Sequence, residues 1–136
     1  MPAVLRAYGR TFNPDAFLAT STLPVCTVKR LGEPRAPGSE AKGHHDQSGI
    51  HIAVSDADFS EFPAQLDDAI TFLSANEPEL RRLYAFPGVE SLSLDFGIAR
   101  REVAVQCDRL PPTLVALAGS LGLAIELSQY PLTVPR

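Results

Sequence analysis

Residues 50–55, IHIAVS, put Ile50, Ile52 and Val54 on one side of an extended chain and His51, Ala53 and Ser55 on the other. That is the period of a half-buried strand. VESLSLDFGI (89–98) repeats it, with Leu92, Leu94, Phe96 and Ile98 set against Ser91, Ser93, Asp95 and Gly97. EVAVQCD (102–108) groups Val103, Val105 and Cys107, and Ala99 to Glu102 between the two stretches predict a hairpin turn. AVLRAYG (3–9), PVCTVKRL (24–31) and LAIELSQY (123–130) complete the predicted strands; each is rich in apolar residues and flanked by Gly or Pro.

Between these stretches the period lengthens. NPDAFLATS (13–21) begins a helix, since Asn13 can cap free N–H groups, Pro14 suits the first helical position and Asp15 complements the dipole. From Ser60 onward Phe62, Leu66, Ala69, Ile70 and Leu73 recur at steps of three and four, an apolar stripe with Pro63 in its first turn and Asp56 or Asp58 as cap. NEPELRRLY (76–84) restarts a helical turn with Glu77 four residues ahead of Arg81, and FPG (86–88) ends it. LPPTLVALAGSLG (110–122) aligns Leu114, Leu117, Ala118 and Leu121, with Gly122 at the position where glycine stops a helix.

The predicted order is β-α-β-β-α-β-β-α-β. Strands that alternate apolar and polar imply a sheet covered on one face, so the fold class is α+β, an antiparallel or mixed sheet with helices on that face. The first six elements have the order of a ferredoxin-like βαββαβ core, with a further βαβ segment after it. Residues 1–136 form one domain on this reading. Residues 32–49, GEPRAPGSEAKGHHDQSG, are a long flexible loop without apolar period, and 131–136 are a tail.

Composition narrows the function classes. With 12 Lys and Arg against 16 Asp and Glu, the net charge of −4 argues against a nucleic-acid binder. Arg81–Arg82 and Arg100–Arg101 read as solvated surface. Cys26 and Cys107 stand far apart, each alternating with valine, and are predicted to be buried and inert rather than a disulfide framework. No apolar run reaches the roughly 20 residues of a membrane span, and MPAVLRAYG lacks a signal peptide's apolar stretch. The expectation is a cytoplasmic protein without a membrane or nucleic-acid partner.

The stretch SLSLDFGIARREVAVQCDRLPPTLVALAGSLGLAIELSQYP (91–131), together with LRAYGRTFNPDAF (5–17) and GIHIAVS (49–55), resembles a bacterial family of uncharacterised proteins, domain of unknown function 4279. The resemblance rests mostly on apolar spacing and on Tyr130 after the last strand. It implies a small α+β fold and a bacterial setting, with no established activity. By analogy alone, some domains of this kind look like immunity proteins that neutralise a toxin.

Two groups of residues carry candidate chemistry. GHHDQSGIH (43–51) holds all three histidines. His44, His45 and Asp46 are candidate metal ligands, with His51 reaching back only if the loop folds over; the alternative is an exposed loop running into a strand. The second group is the polar side of the sheet, where Arg6, Tyr8, His51, Asp95, Gln106 and Glu126 are candidate binding residues, with Ser91, Ser93 and Ser128 beside them. No G-x-S-x-G, G-x-G-x-x-G or Walker pattern occurs, so no catalytic residue is assigned and no cofactor is expected. The leading expectation is a non-catalytic binding module with a protein partner or a second copy of itself. The alternative is a small ligand-binding or metal-dependent enzyme using the histidine loop or the open sheet face.

Overall fold

The computed structural model describes residues 2–35 and 43–131. The elements are β1 (Ala3–Gly9), α1 (Pro14–Leu18), β2 (Val25–Lys29), β3 (Ser48–Ser55), α2 (Phe62–Ala75), α3 (Glu77–Ala85), β4 (Ser91–Arg100), α4 (Pro112–Ser120) and β5 (Ala124–Pro131). They form an α+β fold with a five-stranded mixed sheet in the order β2-β3-β1-β4-β5. The pairs β2–β3, β3–β1 and β1–β4 are antiparallel, and β4–β5 is parallel. The parallel pair needs a crossover, which α4 supplies.

Alternation in the strands makes one core. Ala3, Leu5 and Ala7 of β1, Ile50 and Ile52 of β3, and Leu92, Leu94, Phe96 and Ile98 of β4 cluster with Phe17, Leu66, Leu73, Leu80, Leu83 and Leu114 of the helices. Burying a Leu, Ile or Phe side chain contributes about 1.5–3 kcal/mol, so this row of contacts dominates stability. The helix signals act as the residue types require. Asn13 Oδ1 accepts from Ala16 N at 3.1 Å. After α4, Gly122 adopts φ +76°, and Leu123 N and Gly122 N donate back to Ala118 O and Gly119 O, a Schellman stop.

Four expectations need correction. Residues 102–108 form no strand: β4 runs on into the predicted turn and ends at Arg100, and Val103 and Val105 are 54% and 80% exposed. Both sides of β4 are occupied, by β1 and β5, so residues 102–108 cannot fold back beside β4 as a hairpin would require. Cys26 and Cys107 are exposed rather than buried. Neither Asp56 nor Asp58 caps α2; Asp58 instead closes a tight turn, accepting from Phe59 N on its carboxylate and from Glu61 N on its carbonyl.

The fourth concerns the 32–49 loop, whose described ends are organised as a two-stranded arm extending β2 and β3. Gly32 N donates to His45 O, His45 N to Glu33 O and Arg35 N to Gly43 O, with Pro34 facing His44. Gly32 and Gly43 take positive φ there, which other residues rarely adopt. The rest of that loop (36–42) and tail residues 132–136 lie outside the described residues. Among the described residues no helix is long and apolar enough to cross a membrane.

Candidate functional site

The face of the sheet opposite the helices is built by register. Arg6 stands between His51 on β3 and Ser93 on β4, Tyr8 between Gly49 and Ser91, and Val4 between Ala53 and Asp95, with Glu126 beyond Asp95 on β5. Five of the six predicted binding residues therefore share one surface: Arg6, Tyr8, His51, Asp95 and Glu126. Gln106 does not join them. It sits in the loop after β4, where Arg101 N donates to its Oε1 and its amide donates to Ala99 O and Asp108 Oδ2.

Two polar groups are fixed on this face. In the first, Arg6 Nη1 meets Asp95 Oδ2 at 2.8 Å, and Ser128 Oγ donates to Asp95 Oδ1 at 2.7 Å. Asp95 is only 8% exposed, so both of its oxygens are partnered where an unpaired charge would be costly. Partial burial pulls the Arg6 guanidinium down, but the bond and charge of Asp95, with Tyr8 and Glu126, outweigh it and raise it above its ordinary value.

In the second group, the Tyr8 hydroxyl is bonded to His51 Nε2 and lies 3.5 Å from Lys29 Nζ. The ammonium can only donate to the phenol oxygen, while the direction of the Tyr8–His51 bond follows the tautomer of the imidazole. Burial, then the charges of Lys29 and Arg6, press the His51 imidazolium down to a pKa of about 4, so the ring is neutral near pH 7. Gly49 makes room for this arrangement: a Cβ there would collide with the edge of the Tyr8 ring and crowd Ala7 O.

Lys29 was not anticipated. A register shift between Val25 and Thr27 turns Cys26 outward, its thiol donating to His51 O at 3.2 Å, and resets the phase of β2 so that Lys29 lies across from Gly49. The signal in the sequence is that Val25 and Val28, which both pack on the core, are three residues apart instead of two.

The histidine loop is beside this face rather than on it. His44 and Asp46 are exposed and His45 is half-buried. Arg35 Nη2 holds Asp46 Oδ1 at 3.4 Å, and His45 and Asp46 share a shallow cavity of about 240 Å³ with Tyr8, Lys29 and Arg35. Among the described residues no three His, Cys, Asp or Glu side chains converge in a way that could hold a metal ion.

Charge runs across the sheet in one direction. Lys29 on β2 and Arg6 on β1 are cationic, while Asp95 on β4 and Glu126 on β5 are acidic, following the order of the strands. Fold and surface together define a small α+β domain with one polar sheet face on which, among the described residues, no helix packs. No family model matches the chain, and neither the curated proteins nor the solved structures contain a match to it.

Proposed function

We propose that this chain is a non-catalytic protein-binding module whose working surface is the uncovered sheet face. The observation that carries this reading is the pair of fixed polar groups, Lys29–Tyr8–His51 and Arg6–Asp95–Ser128, side by side on the face where no helix of the described residues packs. Rigid strands hold them, and Tyr and Arg are the side chains enriched at the energetic centres of protein interfaces. The partner presents acidic groups toward β2 and basic groups toward β5. The likeness to the family of unknown function 4279, the ferredoxin-like reading of the first four strands, a cytoplasmic setting and an immunity-type inhibitory role belong to the same proposal.

The test is co-purification from the source organism's lysate with wild-type protein and with Lys29→Glu. A partner held by the wild type and released by the charge reversal supports the surface. Partners held equally by both refute it.

A second reading has its own observation. The charge gradient is self-complementary: a twofold axis along the strands brings the cationic side of one copy over the acidic side of the other, as an isologous dimer requires. Native mass spectrometry distinguishes the two. A dimer lost in Lys29→Glu and regained in Lys29→Glu/Glu126→Lys identifies a second copy as the partner, and a wild-type monomer at every concentration rules that out.

A further inference from the structure

A second surface feature shares no lining residue with the polar groups of the sheet face. It is an open cleft of about 540 Å³ at the end of β4, between the first turns of α2 and the loop that follows β4. Its volume falls in the range of about 300–1,000 Å³ typical of small-molecule sites. Phe62 and Leu66 of α2 and Ile98 of β4 give it an apolar floor, and Arg101, Cys107 and Arg109 stand around it.

The charges around the cleft are uneven. Arg101 Nη1 is engaged by Asp108 Oδ1 at 3.2 Å, and the Asp108 side chain is only 9% exposed. Arg109 is exposed and has no ion pair among the described residues. Two guanidinium groups against one carboxylate leave a single uncompensated positive charge beside an apolar floor, in a chain whose net charge is −4. Gln106 braces the loop by bonding Arg101 N, Ala99 O and Asp108 Oδ2, so Arg101 and Asp108 are held in place rather than left to drift.

We infer that this cleft binds a small monoanionic amphiphile, an apolar chain or ring ending in one carboxylate. The apolar body lies on Phe62, Leu66 and Ile98, and the head group is taken by Arg109, whose planar fork matches a carboxylate. The site is independent of the sheet-face reading and shares no residue with it.

The two exposed cysteines make the test internal to one molecule, because Cys107 lines the cleft and Cys26 lies on β2 at the far edge of the sheet. The full chain is alkylated with iodoacetamide, and the rate at each cysteine is read by peptide mass spectrometry. The runs contain no addition, millimolar decanoate or the same concentration of 1-decanol. Decanoate is expected to slow Cys107 about tenfold, as a ligand at roughly ten times its dissociation constant would. Cys26 is expected to keep its rate, and decanol to protect Cys107 several-fold less. Arg109→Gln is expected to reduce decanoate's protection to that of decanol, with an unchanged Cys26 rate reporting an intact fold. Unchanged alkylation of Cys107 in decanoate, equal slowing at both cysteines, or equal protection by decanol and decanoate would each overturn the inference. Full protection retained in Arg109→Gln would also overturn it.

Discussion

His51 gives the most direct access to the electrostatics of the sheet face. Its ring is half-buried, bonded to Tyr8 and faced by the positive charges of Lys29 and Arg6, so protonation adds a third cation where two already stand. The folded-state pKa of about 4 lies below the ordinary value of 6.5. The unfolded chain therefore takes up this proton first as pH falls. Stability from this residue is fully present above about pH 6.5, is lost progressively from there to about pH 4, and changes no further below that.

The gap between 6.5 and about 4 corresponds to a ceiling of about 3 kcal/mol. Water reaching the half-buried ring reduces the expected loss to about 1–2 kcal/mol. Two assays separate the cause. A proton NMR titration, with the three histidines assigned through single Gln variants, should give His51 a midpoint near pH 4. Urea unfolding at pH 7 and pH 4.5, for wild type and His51→Gln, should show the wild type losing about 1–2 kcal/mol more than the variant, whose remaining carboxylates titrate in common. A His51 midpoint above pH 6 would refute the account of burial and like charge.

Other perturbations test other parts of the fold. Asp95→Ala leaves Arg6 without its partner in a partly buried site and is expected to cost about 1–3 kcal/mol in chemical denaturation, less than a fully buried pair because Arg6 keeps 28% of its side chain exposed. The additional removal of Arg6 should recover part of that loss in a double-mutant cycle. Gly49→Ala would drive its methyl group against the edge of the Tyr8 ring and Ala7 O, so it should cost about 1–3 kcal/mol and displace the Tyr8 and His51 resonances together. Hydrogen exchange should be fast at residues 102–105 and slow at Leu94 and Phe96; protection of 102–105 comparable to β4 would contradict the loop.

Most of the sheet was legible because its pattern has a single physical source. A strand with one face on the core must alternate, and the stretches around Ile52 and Leu94 do so, whereas in β1 the apolar Val4 falls on the polar side, between Ala53 and Asp95. The same alternation put Arg6, Tyr8, His51, Asp95 and Glu126 on the opposite side. It misled at 102–108, where Val103 and Val105 alternate as a strand would, because local pattern carries no information about whether a sheet edge is free. Gln106 was misplaced for the same reason. Lys29 was missed because one extra residue at Cys26 reverses the phase of everything after it. The cleft beneath Arg109 was not legible either, since Phe62, Leu66, Ile98 and Cys107 meet only once α2 and the loop after β4 are packed on the sheet.

The central position of β1 has a consequence in time. It is the first strand in the chain, yet its partners arrive late: Ala3 faces Ser55 on one side and Phe96 on the other. Closing loops of about fifty and about ninety residues before any reward from pairing makes for slow folding. At ribosomal rates of about 5–20 residues per second, roughly 5–20 s separate synthesis of β1 from synthesis of β4. Throughout that interval one hydrogen-bonding edge of β1 has no native mate. Nascent-chain rescue by a chaperone should accordingly be concentrated on residues 3–9 and end once Phe96 has emerged.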